Sequence, residues 1–233
     1  MSTVYFCMDP NIIVRPDSQR TVEMPDYLYN MNLLDDARYW LSADTYERAL
    51  KSRLAGEGEK VTLDEAYIWD DSHTFSWGWA KAGYPRPEIS GTVLPADAYL
   101  AAAEENLDVI CGWAEDHPDT EFIIWLPPYS ILYWDKMLRE GSADAVLTAV
   151  EYAVERLSEY ENVRVYYFLT VKEIVCNLNY YTDHIHHSGE IGRYVTRSVV
   201  EGTHLAGEDF SAVLEQWRDF VYGYDFTMIF PES

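Results

Sequence analysis

Basic residues are scarce: 17 Lys and Arg stand against 40 Asp and Glu in 233 residues, a formal net charge of −23. A surface this acidic repels phosphate backbones and anionic lipid, which disfavours direct nucleic-acid binding. Cysteine is scarcer still. Cys7, Cys111 and Cys176 are far apart and each sits in an apolar run, so no disulfide framework and no CxxC zinc motif is present, and a free thiol in such a run behaves as a small hydrophobe. There is no run of 18 or more apolar residues, and no basic stretch leading into a hydrophobic segment and cleavage site at the start. The chain as written therefore reads as soluble, with no membrane segment of its own. Internal repeats and low-complexity tracts are also missing.

What is present is apolar and aromatic: 48% of residues are hydrophobic and 15% are Phe, Trp or Tyr. That is enough to bury a core and offset the entropy of ordering the chain. The acidity admits two readings, high solubility or an acidic inhibitor that occupies the basic groove of a protein partner.

Three segments, TVYFCMD (3–9), EFIIWLP (121–127) and VRVYYFL (163–169), are nearly continuous apolar runs of strand length, as expected for strands covered on both faces in a parallel sheet. Between the last two, Val146, Leu147, Val150, Ala153, Val154 and Leu157 share a helical face after a Ser142 cap, which makes a βαβ unit. Ala96, Tyr99, Leu100, Ala103, Leu107, Ile110, Cys111 and Ala114 repeat at three-and-four spacing until His117-Pro118, predicting a further helix. Residues 32–54 predict two short helices, the second capped by Ser42 or Asp44, and amphipathic patterns predict helices over 188–201 and 208–221. Residues 60–94, rich in Trp, Gly and Pro, follow no period and read as an irregular insertion. The expected architecture is one α/β domain over 1–233, a three-layer α/β/α sandwich with a parallel sheet.

Ligands of such sheets bind beyond the carboxyl ends of the strands. This places Asp9-Pro10, the Pro-Pro-Tyr-Ser turn (127–130) and the segment from Thr170 to the histidine cluster on one edge. The cluster is Asp183-His184-Ile185-His186-His187. Three readings are open. His184 and His186 form an HxH pair, with Asp183 or His187 as further candidates, able to contribute to a metal site that needs another ligand from elsewhere, such as His73 or Asp71. Asp183 and His186 form a DxxH pair, the carboxylate orienting the imidazole as a general base just before a helix that begins at Ser188, with Glu190 in its first turn. The third reading is a solvated loop, which suits His184 and His187 best. No cofactor and no metal is expected. Tyr129, Tyr133, Trp134, Tyr180 and Tyr181 at this edge could stack on sugar rings or be core.

The segments NLNYYTDHIHHSGEIGRYV (177–195), HPDTEFIIWLPPYSILYWD (117–135) and YDFTMIF (224–230) resemble the later part of SGNH/GDSL-type hydrolases, in particular the branch related to the D-alanyl transfer protein of teichoic acid synthesis. The resemblance implies an α/β/α fold and acyl-ester hydrolysis or acyl transfer on an acylated carbohydrate or polymer of the cell envelope. It implies His186 as general base and Asp183 as orienting acid, with Tyr129, Ser130, Tyr181 and His187 as candidate substrate contacts. The family's serine follows its first strand in a Gly-Asp-Ser element, and residues 1–30 contain none. Ser72 and Ser130 are the available substitutes, the second more simply a turn residue, and Asn106 lies mid-helix. Without a nucleophile the chain would be an inactive relative, and the alternative is a non-catalytic protein that binds carbohydrate or a basic partner. Relatives often carry an upstream membrane anchor, which would set the compartment.

Overall fold

A computed structural model of the chain describes residues 2–15, 34, 37, 41–54, 75–207 and 209–231. Two compact units are distinguished, Arg20–Ile68 and the rest of the chain. Of the first, a helix over Ala43–Leu54 is described, beginning just after Ser42, one of the two caps expected for it. The other helix expected within 32–54 lies almost entirely outside the described residues, as do Asp71, Ser72 and His73.

The larger unit is built on three parallel strands, β1 (Ser2–Cys7), β2 (Thr120–Leu126) and β3 (Val163–Tyr167), in the order β1-β2-β3. Their register pairs Tyr5 with Ile123, Cys7 with Trp125, and Ile124 with Val165. Phe122, Ile123, Ile124 and Leu126 are buried, as a central strand requires, so the continuous apolar run has its physical cause in cover from both faces. The α/β class with a parallel sheet is what the protein has.

Numbered in chain order, the helices among the described residues are α1 (Pro10–Ile13), α2 (Ala43–Leu54), α3 (Trp77–Ala82), α4 (Leu100–Asp116), α5 (Ile131–Arg139), α6 (Ala143–Ser158), α7 (Lys172–Val175), α8 (Gly189–Glu201) and α9 (Phe210–Tyr222). Helices α4 and α6 pack together, and α6 also meets β3 and α9. Every apolar residue expected on the inner face of α6 is buried. Phe6 of β1 meets Trp113 of α4 edge-on, ring centroids 6.1 Å apart. On the opposite face Tyr5 and Trp125 border Val195 and Val199 of α8. Strand alternation thus assigns α4 and α8 to different faces. Asn106 is an anchor for α1: its amide nitrogen lies within 2.8–3.2 Å of the carbonyl oxygens of Ile12, Ile13 and Arg15.

The two edges of the sheet differ. Outside β3, residues 203–206 run alongside: Tyr167 N donates to His204 O at 2.9 Å and Ala206 N to Val165 O at 2.8 Å. Outside β1, no described strand pairs.

The stretch read as irregular over 60–94 is described from Phe75 onward and contains α3, capped by Ser76, whose Oγ accepts from Trp79 N at 3.2 Å. Beyond it the chain is pinned to α5. Asp135, buried, receives Arg86 Nε and Nη2 at 2.8 and 2.9 Å and the Tyr84 hydroxyl at 2.9 Å. A buried carboxylate needs such partners to offset its desolvation. Further along the same segment, Gly141 just after α5 adopts φ 70° and lies against Thr92 O and Val93, leaving no room for a Cβ.

Candidate functional site

The chain leaves β3 through Phe168 and Leu169, makes α7 and a 3-10 turn over Leu178–Tyr180, and then closes a small loop. Tyr181 and His187 form an antiparallel bridge, Thr182 N donates to His186 O at 3.1 Å, and Ser188 N to Tyr180 O at 2.8 Å. Within that loop Asp183 folds back on the backbone, its Oδ1 accepting from Ile185 N at 2.8 Å and His186 N at 2.7 Å. Its other oxygen, Oδ2, lies 2.6 Å from His186 Nδ1. The short Asp side chain suits this turn because it can bond the amides two and three residues ahead.

One carboxylate therefore holds both the loop and the imidazole. Burial pushes the Asp183 carboxyl up, but hydrogen bonds from the His186 amide and ring and from the Ile185 amide outweigh it and hold the group below the usual aspartate value. The His186 side chain is 58% exposed and that of Asp183 23%, so the imidazole stands at the surface with its orienting acid set beneath.

The other two histidines point to different environments. The His184 ring lies against Tyr84, centroids 5.6 Å apart, with Nδ1 buried and without a hydrogen-bond partner. His187 Nδ1 is 3.2 Å from Ser188 O. Burial lowers the pKa of both rings. Among the described residues no three His, Cys, Asp or Glu side chains come together as a metal-binding group. The HxH pair is split because His186 Nδ1 is engaged by Asp183 while His184 turns inward.

The turn after β2 does share an edge with the cluster, and it clamps the loop. Ser130 N and Oγ both donate to His184 O, at 3.2 and 2.9 Å. The Tyr181 hydroxyl donates to Pro128 O at 2.7 Å. Ser130 and Tyr181, expected as substrate contacts, are fully buried, and their polar atoms bond to the loop and the turn that holds it. Ser130 is also the N-cap of α5, its Oγ accepting from Leu132 N at 3.3 Å, so it is no substitute nucleophile. Tyr129 is buried too, its ring tilted against Tyr133 with centroids 4.8 Å apart, and the pKa of its hydroxyl is raised by burial and by a hydrogen bond to Asp9. Tyr133 and Trp134 belong to the core, Trp134 meeting Trp217 edge-on at 5.9 Å. Of the proposed stacking aromatics only Tyr180 keeps partial exposure. His187 remains half-buried beside the dyad. Burial pushes the Cys7 and Cys176 thiols up to about 11, so neither is a thiolate nucleophile at neutral pH.

A neighbour that sequence reasoning missed is α3 with Gly83 at its end. Ser76 N donates to Tyr181 O at 3.2 Å and Trp77 N to Asn179 Oδ1 at 3.1 Å. An added Cβ on Gly83 would stand 2.6 Å from Thr182 O and 3.1 Å from the Asp183 Cβ. Trp77 and Trp79 of this helix are exposed. The available signal was Ser76 and Gly83 bracketing WGWAKA as cap and stop.

Comparison with protein-family models, with curated proteins and with solved structures finds no match to this chain.

Proposed function

We propose that the protein is an SGNH-type acyl-ester hydrolase or acyltransferase-like protein acting on a cell-envelope glycan or polymer. The observation that carries the reading is the 2.6 Å contact between Asp183 Oδ2 and His186 Nδ1 on a surface imidazole. A carboxylate accepting from Nδ1–H selects the tautomer in which Nε2 is the base, and it stabilises the imidazolium formed when a proton is taken up. His186 would take the proton of an attacking hydroxyl and return it to the leaving alkoxide. The polymer part rests on the resemblance of 117–135, 177–195 and 224–230 to that hydrolase branch, and it is supported by the exposed Trp77 and Trp79 on the helix whose end abuts Asp183.

Ser130, the serine expected at this edge, is fully buried. That burial favours a second reading, a non-catalytic carbohydrate-binding relative in which Asp183 only braces the loop.

Hydrolysis of p-nitrophenyl acetate, with labelling by a fluorophosphonate, separates the two. The hydrolase reading expects labelling of a serine and a rate reduced by about 10²-fold or more in His186→Ala, with Asp183→Asn also slowed because the wrong tautomer is held. A wild-type rate equal to that of buffer, or one untouched by His186→Ala, would overturn it.

A further inference from the structure

Among the described residues β1 is an edge strand, and its composition is unusual. Ser2–Cys7 contains no charged residue, no Pro and no Gly, in a chain with a net charge of −23. Edge strands present a row of unpaired N–H and C=O groups, and proteins ordinarily guard them with lysines, prolines, bulges or a covering segment. Among the described residues none guards this one, and Tyr5 at its middle is 62% exposed. Met8 N donates to Trp125 O at 2.9 Å, so by strand alternation Val4 and Phe6 turn their backbone groups to β2, and Thr3, Tyr5 and Cys7 turn theirs outward.

Exposed apolar side chains gather on both flanks of this edge. On the α8 side Tyr5, Trp125, Val195, Thr196, Val199 and Val200 line a groove of about 300 Å³, and Val200 is 77% exposed. On the α4 side Val4, Val109 and Trp113 are exposed. All three layers of the sandwich thus end in apolar surface at the same edge.

We propose that β1 is the interface of a symmetric dimer, pairing antiparallel with β1 of a second copy so that the two sheets become one. Two arguments select a second copy. An antiparallel strand pair is its own complement under a two-fold axis, so one uncharged strand supplies both halves of the ladder. Charge is the other: two chains of −23 repel over most of their surface and can approach only where charge is missing, whereas a basic partner would be drawn to the acidic faces instead. The area is adequate. Six strand residues and the thirteen residues of α8 each span roughly 20 Å. With layers about 10 Å apart, the edge offers on the order of several hundred Å² per copy, toward the roughly 800 Å² per partner of stable interfaces.

The test is sedimentation equilibrium of the full chain over about 1–200 μM in moderate salt, a range that covers interfaces of this size. The mass is expected to rise from 27.0 kDa toward twice that value. Tyr5→Lys places a charge on each side of the axis, and Thr3→Pro removes an outward N–H while leaving the ladder to β2 intact. Each is expected to weaken association by about tenfold or more, with circular dichroism and Tm of the monomer unchanged. A chain that stays monomeric throughout, including one that gains mass only on adding a foreign protein, overturns the proposal. So does a dimer indifferent to both substitutions.

Discussion

Gly83 leaves no room for a side chain, because a Cβ there would stand 2.6 Å from Thr182 O. Real Cβ atoms do not come so close to a backbone oxygen, so Gly83→Ala must displace the loop that carries Asp183 and His186. The expected cost is about 1–3 kcal/mol of stability, measurable by denaturant titration, together with a slower p-nitrophenyl acetate rate in the folded variant. A variant with unchanged stability and rate would show that the loop yields freely. The Asp183–His186 pair was named from a DxxH spacing that is common by chance, and the 2.6 Å contact between the two side chains comes from a turn in which the Asp also accepts from the Ile185 and His186 amides. What spacing could not show is burial. Ser130 and Tyr181 sit at the edge that the topology predicts, but a residue at an edge and one beneath it have the same sequence signature, and here the polar atoms of both turn inward to carbonyls.

Among the elements, α5 depends on Ser130 twice over, as its N-cap and as the donor that fastens His184 O. Ser130→Ala removes both bonds and leaves the part-buried His184 carbonyl with one donor fewer. A loss of about 1–2 kcal/mol is expected in thermal or chemical unfolding, and no loss would mean that water replaces the hydroxyl. Long, strongly periodic elements were readable in advance: the helix expected from Ala96 runs over Leu100–Asp116 after a turn, and that expected over 208–221 runs over Phe210–Tyr222. Helix α3 was not readable because it has six residues and a single buried one, Ala80, too few to display a period. Its place is set by Ser76 and Trp77 bonding to the site loop, long-range contacts that leave no local pattern.

For the whole molecule, acid should destabilise more than the charge balance alone suggests. Protonating carboxylates relieves the self-repulsion of a −23 chain, which favours the fold as pH falls. Acting against this, burial lowers the pKa of His184, His187 and His204 from the ordinary 6.5. Each is then neutral in the fold at a pH where the unfolded chain already binds a proton. Their contribution is complete above about pH 6.5 and is lost as pH falls through the folded values. Asp183, also lowered, adds a loss in the same direction at still lower pH. In high salt, which screens the repulsion, Tm is expected to drop between pH 7 and pH 5. His204→Asn, which tolerates the φ of 63° at that position, should flatten part of the slope. A Tm that holds steady or climbs over this range would contradict the assignment.

The asymmetry of the sheet's two borders limits how far it can grow. With residues 203–206 hydrogen-bonded along β3, the described residues leave one vacant border, so a pairing through β1 would consume it and stop at a pair. Removing that strap would leave two such borders per chain, and the same backbone chemistry that closes a dimer would then propagate into a fibre.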